Sequence, residues 1–247
     1  MKKLFKIIMW VILIPVFLAI GFFSGVAVDI FYLNKFETEE VENAWNNDWV
    51  EDSVITSSDL SIHFLELGNI FAGDCVYIKC GENDILIDAG SRNTSASTII
   101  DYVDNFVTDG KLEYVIATHA HEDHISGFYD ESDRIGIFTH YDVDYIIDFP
   151  NTNKTSPSST SVLGKYISAR DEEVAGGATH WTALECYNNE NGASRTIQLS
   201  DTVELEILYN YYYDHSYSSG ENNFSVCAML NQGDNHYLFT GDLEDAG

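Results

Sequence analysis

A heptapeptide in the middle of the chain restricts its fold more than any other feature. Thr118-His119-Ala120-His121-Glu122-Asp123-His124 follows directly on the apolar run Leu112–Ala117. An apolar run of that length reads as a buried strand. The cluster therefore stands on the loop at the strand's C-terminal end, where α/β proteins place their chemistry. Three imidazoles and a carboxylate at this density are costly unless something binds them, and together they suit zinc, iron or manganese. Neighbouring side chains on an extended loop point apart. A bend would let His119 and His121 address one cation while Asp123 and His124 address another.

The elements on either side fit an α/β chain. Leu60–Leu67 alternates with period two and stops at Gly68, the pattern of a strand. Val76–Ile78 and Ile85–Ile87 flank Gly81-Glu82-Asn83-Asp84 as a hairpin whose second arm ends in Asp88-Ala89-Gly90. Over Ser95–Asn105, Ile99, Ile100 and Val103 fall at helical spacing, with Phe106 just beyond and Thr94 or Ser95 as N-cap. Residues 151–161, rich in Asn, Thr, Ser and Pro, read as a loop before a helix over 161–174. Thr196–Tyr213 alternates as one or two strands. Phe224–Leu230 and His236–Phe239 flank a second hairpin that runs into Thr240-Gly241-Asp242.

The N-terminal part carries a different signal. Ile7–Val28 is 22 residues without a charge, preceded by Lys2, Lys3 and Lys6. A helix needs about 20 such residues to cross a bilayer. Acidic residues follow the run, so the positive-inside rule places the rest of the chain outside the cytoplasm. The expectation is a single-pass, uncleaved signal anchor over residues 1–33 in the cell membrane. Ser24-Gly25-Val26-Ala27 is the alternative, a cleavage site that would make the protein secreted. No cysteine follows the run, which argues against a lipoprotein anchor. Residues 34–57, acidic and Asn-rich, read as a tether, and residues 58–247 as the functional domain.

Charge narrows the partners. The chain has 40 acidic and 12 basic residues, a net charge of −28. Lys2, Lys3, Lys6 and Lys35 lie in or beside the apolar run, leaving eight basic residues for the soluble part. Such a body repels nucleic acid and anionic membranes, so no extended nucleic-acid-binding surface is expected. A polyanionic substrate would need a bound cation to approach. Cys75, Cys80, Cys186 and Cys227 form no C-x-x-C pair, so a thiolate zinc site is unsupported and buried, unpaired thiols are expected. Tyr209, Tyr211, Tyr212 and Tyr213 read as strand faces and pocket rim. His63, His140 and His236 lie away from the motifs and receive no role.

The H-x-H-x-D-H cluster after an apolar strand resembles the signature of the metallo-β-lactamase superfamily. Ile85-Leu86-Ile87-Asp88-Ala89-Gly90 resembles that superfamily's first motif, and Leu238-Phe239-Thr240-Gly241-Asp242 its fourth. More narrowly, Phe64–Gly68 with Gly73–Ile78, Glu221–Val226 and Thr240–Glu244 are similar to the hydrolase domain of competence (ComEC-type) DNA-uptake proteins. The resemblance runs from about Leu60 to Gly247. It implies an α/β metallo-β-lactamase-like αββα sandwich, here incomplete at the C-terminus. His119 and His121 would hold one metal, Asp123 and His124 a second, with Asp242 between them and Asp88 orienting the histidine loop. The implied cofactor is Zn2+, two per complete site, with Mn2+ or Fe as alternatives. The implied chemistry is hydrolysis by a metal-bridging hydroxide, with Asp123 orienting the attacking water.

Two departures stand out. Where the superfamily usually has a third-motif histidine, this chain has Asn222-Asn223-Phe224-Ser225; Asn223, Ser225, His215 and His180 are the candidates to replace it. The superfamily's last metal-binding histidine falls well after the bridging aspartate, beyond Gly247. The function implied is an extracytoplasmic metal-dependent hydrolase acting on a phosphodiester, whether nucleic acid, nucleotide or cell-wall polymer. The alternatives are a lactam, lactone or thioester hydrolase of the same fold, and a non-catalytic surface module with a decayed metal site.

Overall fold

The computed structural model describes residues 60–68, 73–91, 93–216 and 220–244. The expected anchor and tether lie outside these residues. No helix among the described residues is long and apolar enough to cross a membrane.

The first sheet has six strands in sequence order: β1 (Leu60–Phe64), β2 (Val76–Cys80), β3 (Asn83–Ile87), β4 (Lys111–Ala117), β5 (Asp142–Asp148) and β6 (Thr179–Thr182). β1, β2 and β3 pair antiparallel, and β3 to β6 run parallel. The β2–β3 hairpin closes with Cys80 opposite Asn83. Helix α1 (Asn93–Val103) makes the β3–β4 crossover and buries Ala96, Ile99, Ile100 and Val103. Between β4 and β5 lie the short helices α2 (Glu122–Ile125) and α3 (Ile137–His140). Helix α4 (Val162–Gly176) leads into β6; the Ser161 hydroxyl caps it by accepting from Gly164 N–H, and it ends at Gly177. Helix α5 (Ala183–Asn188) leaves the sheet behind the capping box of Thr182 and Glu185.

The second sheet is antiparallel, in the order β10-β9-β8-β7: β7 (Thr196–Gln198), β8 (Val203–Ile207), β9 (Ala228–Gln232) and β10 (Asn235–Phe239). Its alternation is plain in β8, where Val203, Leu205 and Ile207 are buried while Glu204 and Glu206 face outward. One connected apolar core draws side chains from both sheets. The fold is α/β, and all four cysteines are buried and free, as their spacing suggests.

Register sets up the site. Ile87 lies beside Ile116, Ala117 beside Asp148, and Asp148 beside Thr182. The C-terminal ends of four parallel strands therefore share one edge, and Asp88 and Thr118 emerge there next to each other.

Two expectations need correction. Tyr211–Tyr213 is a 3₁₀ turn, not a strand. Asn210, fully buried, accepts from Tyr212 N–H through Oδ1 and donates through Nδ2 to the carbonyls of Asn223 and Ser225. That side chain ends the extended run, and Tyr213 turns inward to be 1% exposed. The strand expected from Phe224 begins only at Ala228. Glu221–Phe224 is a second 3₁₀ turn, and Val226 N–H donates to Thr118 O on the histidine loop.

Candidate metal centre

Asp88 sits immediately after β3 with φ of 60°, a left-handed conformation that costs a non-glycine residue energy. Its carboxylate, 2% exposed, repays this with three hydrogen bonds. Oδ1 accepts from Thr118 N–H at 2.8 Å. Oδ2 accepts from Thr118 Oγ1 at 2.7 Å and faces His124 Nδ1 at 2.7 Å. A carboxylate can only accept, so Nδ1 of His124 carries the proton. The other ring nitrogen, Nε2, then points toward Asp242, whose Oδ2 is 3.4 Å away. This is the arrangement by which a carboxylate orients a ligating imidazole.

The histidine loop supplies the rest. The segment 119–121 is not helical, and α2 then turns Glu122–Ile125 through one helical turn, so the six-residue cluster is only partly the extended loop expected from sequence. His119 is fully buried, with Nδ1 3.1 Å from Thr118 Oγ1 and Nε2 3.0 Å from His121 Nδ1. His119, His124 and Asp242 each offer a ligand atom, and those atoms all lie within 4.8 Å of one another. His121 abuts this group through His119. The Asp123 carboxylate lies outside it, near enough that its charge favours the protonated forms of His124 and Asp74.

Charge separates the two buried imidazoles. Burial, and then the neighbouring His124, His121 and Lys154, push His119 down to about 2, so it is neutral and ready to donate a lone pair. Burial alone would also lower His124. Its bond to Asp88 and the charges of Asp88, Asp242 and Asp123 outweigh burial and raise it to about 9.

Asp242 arrives from the other sheet, one residue beyond Gly241. Gly241 has φ of 51°, and a Cβ there would stand 2.9 Å from both Thr118 Cβ and Ser225 Oγ. Only glycine lets the chain pass this close to the histidine loop. Ser225 Oγ donates to Asn222 O at 2.7 Å and accepts from Asp242 N–H at 3.2 Å. Gly73 plays the corresponding part on the first sheet. A Cβ there would lie 2.5 Å from Ser91 N and 2.7 Å from Asp123 O, and Asp74 N–H donates to that same Asp123 O.

Neither His215 nor His180, among the expected replacements for the third-motif histidine, joins the group. His215 is exposed, stacks on Tyr211 with ring centroids 3.8 Å apart, and bonds Tyr211 O. His180 Nε2 lies 2.8 Å from Asp148 Oδ1, in a network that also takes Tyr166 and Arg170. Ser225 is committed to Asn222 O and Asp242 N–H. Asn223 is buried, with its carbonyl held by Asn210. The structure brings in Asn222 instead. Its side chain stands close enough to His119 to favour protonation there, and its Oδ1 is buried without a hydrogen-bond partner among the described residues. A buried, unpaired oxygen beside the neutral His119 imidazole fits a cation site, and the nitrogen-and-oxygen donor set suits zinc. The residues fit the metal. Thiolate ligation finds no support, since no cysteine belongs to the group among the described residues.

Residues 68–152 match the sequence profile of the metallo-β-lactamase superfamily. That segment, about a third of the chain, carries Asp88, His119, His121, Asp123 and His124. Comparison with curated proteins gives no match. Among solved structures, the metallo-β-lactamase fold protein YhfI from Bacillus subtilis is similar at 12% identity and a TM-score of 0.43, over 74% of this chain and 62% of that one. A probable metal-dependent hydrolase from Staphylococcus aureus is similar at 14% identity and a TM-score of 0.41, over 75% of this chain and 74% of that one. A metallo-β-lactamase from Cronobacter sakazakii is similar at 14% identity and a TM-score of 0.42, over 78% of this chain and 66% of that one. The chain thus spans about three fifths of the length of the Bacillus structure.

Proposed function

We propose that this protein is a zinc-dependent hydrolase that acts on phosphodiesters outside the cytoplasm. The observation that carries the reading is the Asp88–His124–Asp242 line, with His119 within 4.8 Å of the last two. It gathers two imidazoles and a carboxylate whose ligand atoms lie within 4.8 Å of one another. When bound there, a divalent cation would supply Lewis-acid polarisation and a water of lowered pKa.

The chain's residues divide the work. His119, His121, His124 and Asp242 would hold metal, and Asp123 would serve a second one. Asn222 Oδ1 adds a neutral oxygen where the superfamily usually has a histidine. Asp88 keeps the proton on His124 Nδ1 and so keeps Nε2 free to ligate. The half-buried Asp123 carboxylate orients the attacking water and receives its proton. The extracytoplasmic placement rests on the charge-free run Ile7–Val28 behind its lysines, and the ComEC-type grouping on the motifs quoted above.

The test is hydrolysis of bis(p-nitrophenyl) phosphate by the full chain, stripped with chelator and reloaded with zinc or manganese. Turnover should return with metal, and Asp123→Asn should lower kcat by about a hundredfold while zinc content at the His119–His124 position persists. Absence of turnover with either metal, on the diester and on lactam, lactone and thioester substrates alike, would leave a metal-binding module without catalysis.

A further inference from the structure

The loop that follows β5 reaches the histidine loop and brings one cation with it. Lys154 Nζ donates to the carbonyl of Ala120, the residue between His119 and His121. The loop is pinned just ahead of this contact. Asn151 Nδ2 donates to Tyr212 O and Tyr213 O at 3.0 and 2.8 Å, and Asn153 N–H donates to Glu221 Oε2 at 2.9 Å. The Lys154 backbone N–H is itself held by Thr152 Oγ1 at 3.1 Å.

The charge environment of Lys154 is unusual for this protein. The chain has 40 acidic residues, and Lys79, Lys111 and Lys165 each form an ion pair with a carboxylate at 2.5 to 2.6 Å. Lys154 makes no ion pair among the described residues; its ammonium group meets a neutral carbonyl. An ammonium has three donors, and a single carbonyl leaves two of them for another acceptor. Its position also puts it one residue from two metal-ligating histidines. A cation beside a bound dication is repelled unless an anion lies between them. In a body this acidic, a fixed, uncompensated lysine at the site favours an anionic ligand that spans metal and ammonium.

We infer that Lys154 is a substrate-anchoring residue that takes an anionic phosphoryl oxygen of a substrate that the metal centre would also hold. This rests on the hydrolase reading above. It narrows the substrate class to compounds with a negative charge at or next to the scissile bond, and it sets neutral esters and lactones apart. Lys154 acts through charge and does not ligate metal, so its effect should appear in binding more than in turnover.

The experiment uses the zinc-loaded full chain and the variants Lys154→Gln and Lys154→Arg. Four quantities are read: zinc content, the dissociation constant for inorganic phosphate by calorimetry, and KM and kcat on bis(p-nitrophenyl) phosphate and on neutral p-nitrophenyl acetate. In Lys154→Gln, phosphate affinity should weaken and KM for the diester should rise, each by about tenfold, as expected for losing a hydrogen bond to a charged group. The diester-to-acetate ratio of kcat/KM should fall by a similar factor, Lys154→Arg should recover part of each loss, and zinc content should hold. Unchanged phosphate affinity, or an equal loss on both substrates, would overturn the assignment, as would a fall in zinc content marking Lys154 as a brace for the histidine loop. Phosphate binding is read without turnover. Failure of the hydrolase reading alone would therefore show as an inactive wild type whose phosphate affinity still depends on Lys154.

Discussion

Asp88 and Asp242 both face His124, one at Nδ1 and the other near Nε2, yet the protein holds them in opposite ways. Asp88 has a side chain 3% exposed, a left-handed backbone and three hydrogen bonds within the first sheet and its loops. Asp242 has a side chain 35% exposed and reaches the site from the second sheet through Gly241, steadied at its backbone by Ser225. The contrast separates preorganisation from ligation. The Asp88 side is finished by folding itself. The Asp242 side keeps a half-open carboxylate that a cation would complete.

Breaking the Asp88 side should cost most. In Asp88→Asn the shape is kept, but a buried acceptor facing three donors becomes an amide. The metal-free protein should lose about 3 kcal/mol in urea denaturation, the scale for removing one partner of a buried charged pair. Zinc affinity should fall by about 10- to 100-fold in calorimetric titration, the usual loss when an orienting carboxylate is removed.

The same contrast predicts a pH dependence. His124, raised from 6.5 to about 9, binds its proton more tightly folded than unfolded. The stabilisation is therefore fully present below about pH 6.5 and is lost as pH rises through 9, on the order of 2–3 kcal/mol for the metal-free protein. Denaturation of metal-free protein at pH 6, 7.5 and 9 should show the decline, and Asp88→Asn should flatten it. Zinc binding should run the other way, weakening on acidification because His124 must release one proton to ligate.

The smallest effect on folding belongs to Asp242. Asp242→Asn should shift the stability of metal-free protein by no more than about 0.5 kcal/mol, as for other partly exposed surface positions. Its zinc affinity should nonetheless drop, by about tenfold. A large loss of stability here would erase the distinction between the two carboxylates.

Much of this site is legible along the chain because its residues sit beside strong local signals. Asp88 and the histidine cluster each end an apolar strand, and Asp242 ends a hairpin arm. Parallel register then brings the first two together without further information. Asn222 and Lys154 are different. An amide is outside the usual vocabulary of metal ligands, and only its burial without a partner marks Asn222 Oδ1. Lys154 lies in a polar loop of Asn, Thr and Ser, which composition reads as a connection; its reach to Ala120 O depends on the folding of segments more than 30 residues away in sequence. His180 is misleading in sequence for a related reason. β6 pairs parallel to β5 with His180 opposite Ile146, and the ring is captured by Asp148 two residues further along the neighbouring strand. The tyrosine run likewise follows strand alternation until Asn210 takes the carbonyls of Asn223 and Ser225 and bends the chain inward.

The most direct measurement is anomalous diffraction at the zinc edge from crystals of the zinc-loaded protein. A peak within about 2.0–2.2 Å of His124 Nε2 and an Asp242 oxygen, with His119 also in ligand range, is the expected result. A protein with no peak between these three residues, or with zinc held only at other surface histidines and carboxylates, would contradict the account.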